Sequence, residues 1–162
     1  FFTEEWECPY DIHSYGHDIE ASWLLHEAAT VLEDNDILLR VESIVPKIAE
    51  AADEGLMSDG SMIYEKNNAT GHVDRDRHWW VQAETVIGYF NLWEHFGAQA
   101  GIENAILCWE YIKNGLIDKE NGEWFWSVRA DGTINREDDK AGFWKCPYHN
   151  GRMCLEIIER TS

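Results

Sequence analysis

"WWVQAETVIGYFNLWEHFGAQAGIENAILCWEYIKNGLID", residues 79–118, decides how the rest of the chain is read. Two long apolar, helix-forming runs, 79–97 and 101–118, are separated only by a short break from Gly97 to Gly101. Helices joined so tightly lie antiparallel, side by side. Toward the N-terminus the same form recurs. From Tyr15 to Glu33, with Ser14 as a cap, Ile19, Trp23, Leu24, Ala28, Val31 and Leu32 return at helical spacing. "DNDILLRVESIVPKIAEAADEG", residues 34–55, then gives a second amphipathic helix, capped near Asn35 or Asp36, kinked at Pro46 and ended by Gly55.

Between these hairpins, residues 59–78 read as loop with a strand-like run at Met62 to Tyr64. Toward the C-terminus, "NGEWFWSVRADGTI" (121–134) alternates aromatic and polar residues and turns at Asp131-Gly132, a small β-hairpin. After the charged loop 135–142, "FWKCPYHNGRMCLEIIER" (143–160) enters a last helix. The order helix, helix, short hairpin, helix start therefore repeats. His17, Trp80 and His149 each mark a helix start, and W-x-C-P-Y precedes both histidine helices, at Trp6 to Tyr10 and Trp144 to Tyr148. The expected fold is all-α: helical hairpins that stack or close into a ring, with small β-hairpins in the connections.

The chain's 162 residues suit one packed unit. Thirteen basic residues against 31 acidic ones give a formal charge of -18, which repels phosphate backbones and anionic lipid, so neither nucleic acid nor a membrane is an expected partner. The four cysteines form no C-x-x-C pair and read as free thiols of a reducing cytoplasm. Nine tryptophans ask for a pocket, because an indole offers a flat apolar face and an N–H donor to a ring such as a sugar. The opening "FFTEEWECPY" has no initiator methionine and reads as a start inside something longer.

Helix N-termini carry partial positive charge and free N–H groups, so the end shared by these helix starts is the expected site. His17 and Glu20, at i and i+3, can flank one ligand, and Trp80 and Glu84 form an i, i+4 pair on the third helix. Taken singly, each pair also suits a surface acid beside a capping or core residue. His149, just after Pro147, stands where the last helix begins, five residues after Trp144. Two histidines, one with a carboxylate, suit acid–base catalysis near neutral pH. Placed on opposite faces of a carbon, they remove a proton and return it with inversion. His13, His17 and Glu20 also satisfy H-x-x-x-H-x-x-E, but His13 precedes the helix, so no metal is expected. The phosphate-loop, dinucleotide and nucleophile-elbow patterns are all missing, and no cofactor is expected.

"YGHDIEASWLL", "HWWVQAE", "GEWFWSV" and "KAGFWKCPYHNGRMCLE" together resemble the cellobiose 2-epimerases, a branch of the N-acylglucosamine 2-epimerase family. The resemblance runs along essentially the whole chain. It implies an (α/α)6 toroid whose chains are more than twice this long, residues 1–162 being its C-terminal half. Completion would then need the missing N-terminal half or self-association.

The implied reaction is C2 epimerisation of the reducing-end glucose of a β-1,4-linked disaccharide, cellobiose or lactose, without a cofactor. His17 and His149 resemble the acid–base pair, and Glu20 the carboxylate that supports ring opening and orients His17. Trp23, Trp80 and Glu84 align with residues important for activity, and Trp144 with a sugar-stacking platform. The family's site arginine would come from the missing half, leaving Arg75, Arg77 and Arg152 for local ion pairs. Three other readings stay open: an N-acylglucosamine epimerase or aldose–ketose isomerase on the same fold, a non-catalytic carbohydrate-binding module, and a glycosidase using Glu20 and Glu84.

Overall fold

A computed structural model describes residues 3–5 and 7–162. Trp6, the first residue of the earlier W-x-C-P-Y, lies outside the described residues, as do Phe1 and Phe2. Among the described residues, six α-helices are joined by short strands: β1 (Ile12–Ser14), α1 (Tyr15–Leu32), α2 (Asn35–Glu42), α3 (Val45–Ala52), β2 (Glu65–Asn67), β3 (Val73–Asp74), β4 (Arg77–His78), α4 (Trp79–Phe96), α5 (Gln99–Tyr111), β5 (Ser127–Val128) and α6 (Tyr148–Thr161).

Helix α4 is the centre. Every residue from Trp79 to Leu92 is buried, because α1, α5 and α6 pack around it. A helix apolar on one stripe only could not occupy that place. Gly97, at a positive φ of 67°, ends α4, and its N–H and that of Ala98 satisfy the final carbonyls. The hairpin to α5 therefore forms as expected, with α5 starting two residues earlier, at Gln99. A π-turn, Ile112–Leu116, replaces the last stretch of the expected helix.

The expected second helix is two helices. Asp34, not Asn35 or Asp36, caps α2, its carboxylate accepting the N–H groups of Asp36 and Ile37. At Ser43–Ile44 the chain breaks, and Pro46 sits in the first turn of α3, where a missing N–H costs nothing. Proline thus starts a helix here where a kink was expected.

Met62 to Tyr64 does not form a ladder strand. Met62 makes a single antiparallel bridge, to Leu56, and on its other side the Gln82 side chain accepts from the Met62 N–H at 2.9 Å and donates to its carbonyl at 2.8 Å. The antiparallel ladder lies beyond, with β2 between β1 and β3. The turn at Asp131-Gly132 is present, closed by Arg129 N–H to the Thr133 carbonyl and a Val128–Ile134 bridge. Strand β5 also pairs with β4, Arg77 opposite Val128 and His78 opposite Ser127. That pairing brings Trp126 to the start of α4, where its carbonyl accepts the Trp79 N–H at 3.0 Å.

Candidate active site

The first turns of α1, α4 and α6 meet at one end of the bundle and border a cavity of about 400 Å3, within the range of small-molecule sites. Its lining is His17 and Glu20 from α1, Trp79 and Trp80 from α4, His149 from α6, and Tyr64, His78, Trp126 and Trp144 from the connections. The structure thus brings together five residues singled out from the sequence: His17, Glu20, Trp80, Trp144 and His149. Trp80 packs against both histidines, its ring centre 4.8 Å from that of His17 and 5.6 Å from that of His149. This closeness depends on Gly16, where a Cβ would come within 2.7 Å of the Trp80 ring.

Trp23 and Glu84, also singled out, are wholly buried behind the cavity wall. The Trp23 indole N–H donates to one Glu84 oxygen at 2.9 Å. The other oxygen takes His149 Nδ1 at 2.6 Å and Arg152 Nη2 at 2.7 Å. A carboxylate against Nδ1 keeps the proton on that nitrogen and leaves Nε2 as the basic one. The Glu20 carboxylate turns toward the same group, 2.8 Å from Arg152 Nη2 and 3.9 Å from His149 Nδ1.

Arg152, expected to make local ion pairs, makes them at the cavity wall. Burial opposes its charge, but Glu84 and Glu20 outweigh that and hold its pKa above the ordinary guanidinium value. It also lies over the Trp23 ring and donates to the Tyr148 hydroxyl. Its spacing from His149, one helical turn at i+3, was the available signal. Glu20, Glu84 and His149 each offer a ligand atom within a 4.8 Å group, as a metal site would, but Arg152 already supplies a cation to both carboxylates.

His17 stands on different ground. Ser14 holds the N-cap position of α1, yet its hydroxyl makes no capping bond and lies 2.6 Å from His17 Nδ1. The cap expected from sequence is redirected to the site.

Trp144 projects from the cavity rim, 79% exposed, edge-on to Phe143. The loop carrying it is tied down by two lysines. Lys140 reaches Asp118 at 2.7 Å and the Gly122 carbonyl at 3.0 Å. Lys145, fully buried, reaches Glu123 at 3.1 Å and the Lys140 carbonyl at 2.8 Å, with its ammonium 5.3 Å from the Trp79 ring centre. Burial lowers the Lys145 pKa, and Glu123 works against that. Glu123 also accepts from Asn150, next to His149. One carboxylate therefore fastens both the Trp144 loop and the start of α6.

Comparison with known proteins agrees along the chain. The sequence profile described as N-acylglucosamine 2-epimerase (GlcNAc 2-epimerase) matches residues 1–151. A cellobiose 2-epimerase of Bacteroides fragilis is 63% identical over 158 residues, covering 98% of this chain and 40% of the relative. The crystal structure of a sugar epimerase from a ruminal bacterium superposes with a TM-score of 0.93 at 41% identity, covering 100% of this chain and 41% of that one. The cellobiose 2-epimerase of Bacillus thermoamylovorans gives a TM-score of 0.91 at 43% identity, with 99% of this chain and 40% of that one covered. The chain thus spans about two fifths of the length of these relatives. Its helical hairpins are those of an (α/α)6 toroid. Among the described residues no helix is long and apolar enough to cross a membrane.

Proposed function

The chain belongs to the N-acylglucosamine 2-epimerase family, and on that premise we propose that it supplies the histidine-bearing, C-terminal part of a cellobiose 2-epimerase. The reading is carried by one observation: of the three imidazoles that border one aromatic cavity, those of His17 and His149 both pack against Trp80 and each has its own Nδ1 partner.

The substrate is a β-1,4-linked disaccharide such as cellobiose or lactose, and the reaction centre is C2 of its reducing-end glucose. Opening the ring moves the anomeric hydroxyl proton to the ring oxygen and leaves an aldehyde at C1. That aldehyde acidifies the C2 proton. One histidine takes the proton, the C2–H electron pair becomes the C1–C2 double bond, and the carbonyl oxygen carries the charge of an enediolate. The other histidine returns a proton to the opposite face, the carbonyl re-forms, and the ring closes as mannose.

Glu84 holds His149 in one tautomer, Glu20 assists proton transfer during ring opening, and Trp144 stacks on sugar. Arg152 is committed to Glu20 and Glu84. The cation that holds the enediolate oxygen therefore comes from the remainder of a polypeptide of the relatives' length.

The test is NMR of cellobiose in D2O, with the chain alone and with the chain replacing its matching segment in the Bacteroides fragilis relative. Deuterium at the reducing-end C2 together with a mannose-ended disaccharide supports the reading. A fructose-ended product would assign an aldose–ketose isomerase, and free glucose a glycosidase. No change with the composite protein overturns it.

A further inference from the structure

The reacting carbon has to lie within reach of His17 and His149. A disaccharide also carries a second ring with nothing to react, and the wall left for it consists of Tyr64, His78, Trp126 and Trp144. His78 is held firmly without using its ring nitrogens. Its main chain pairs with Ser127, and its carbonyl accepts from the Gln82 amide. Its ring lies face to face with Tyr64, centres 4.2 Å apart and planes 22° apart, and edge-on to Trp126 at 6.4 Å. Among the described residues no hydrogen bond engages either ring nitrogen.

Burial lowers the imidazole pKa, so the ring is neutral, one nitrogen a donor and the other an acceptor. One oxygen each of Asp74 and Asp76 and one His78 nitrogen lie within 4.8 Å of one another. Of the three, His78 is the one that lines the cavity. Flat aromatic faces for C–H groups beside short polar groups for O–H groups are what a pyranose requires.

We propose that His78 reads the second, non-reacting sugar, hydrogen-bonding hydroxyls of a pyranose that leans on Trp126 and Trp144, and so sets a preference for disaccharides. This rests on the epimerase reading above. The test uses the composite with the Bacteroides fragilis relative and follows C2 deuterium exchange on cellobiose. His78→Ala raises KM about tenfold with kcat within about twofold, the signature of lost binding shared by ground and transition states. His78→Gln, which keeps a donor and an acceptor, recovers part of that loss.

A measurement without substitution accompanies it: the His78 ring NMR signals shift on adding cellobiose and stay in place with glucose. Unchanged KM in His78→Ala, a fall in kcat at constant KM, no recovery in His78→Gln, or ring signals indifferent to cellobiose each overturns the assignment alone. No turnover by the unaltered composite overturns the epimerase reading, and this inference with it.

Discussion

His149 stands on charge, whereas His17 stands on a neutral hydroxyl. Behind His149 lie a wholly buried carboxylate, a guanidinium bridging two acids, and the Glu123–Lys145 pair that fixes the loop before it. Behind His17 lie Ser14 and the face of Trp80. Charged hydrogen bonds in a buried setting are strong and costly to break, while an exposed neutral one is modest and readily replaced by water. The two histidines of one cavity therefore have unequal support. The wall of His149 is built of buried ion pairs, and the hydroxyl at His17 is the lighter support.

Breaking the charged side is expected to cost most. Glu84→Gln replaces the charged acceptor that orients His149 by a neutral amide of the same volume, which can present a donor to Nδ1 and favour the wrong tautomer, and turnover should fall by about three orders of magnitude. C2 exchange in D2O measures it, and a loss below about tenfold would place the orientation of His149 elsewhere. Trp144→Ala should raise KM for cellobiose about tenfold through lost stacking. Because the side chain is 79% exposed, its thermal unfolding should stay within about 0.5 kcal/mol of the parent.

Lys145→Met tests the anchor behind that platform. It leaves Glu123 without its buried partner, so about 2 kcal/mol of stability should be lost, with a severalfold rise in KM. Unfolding and kinetics on the same variant separate the two effects. Smallest is Ser14→Ala: turnover should drop about threefold while the melting temperature holds, because this hydroxyl caps no backbone N–H. A clear loss of stability there would restore Ser14 to an ordinary helix cap and remove the contrast between the two walls.

Much of this layout was legible in the sequence. A periodic run announced α1, long apolar runs announced α4 and α5, and the Asp131-Gly132 turn was where its residues placed it. His17, Trp80 and His149 were noticed because each opens a helix, and helix starts are readable. The features that escaped have physical reasons. Pro46 signals a disturbed helix but not whether it bends one helix or begins another, since both satisfy its missing N–H. Strands of two residues, as at Arg77–His78 and Ser127–Val128, are too short to show an alternation. Lys145 is buried in a loop, where no period marks the inside. Trp23 and Glu84 reach the site only through His149 and Arg152, so their positions in the sequence could not tell a sugar contact from a support.

The space at Gly16 has a wider consequence. Any side chain there would push the opening of α1 away from Trp80, and with it the imidazole of His17. The approach of the His17 turn to Trp80 is therefore set by an atom that is not there. Sequence change can retune the charges around His149 one at a time, but the gauge of the site rests on a single hydrogen.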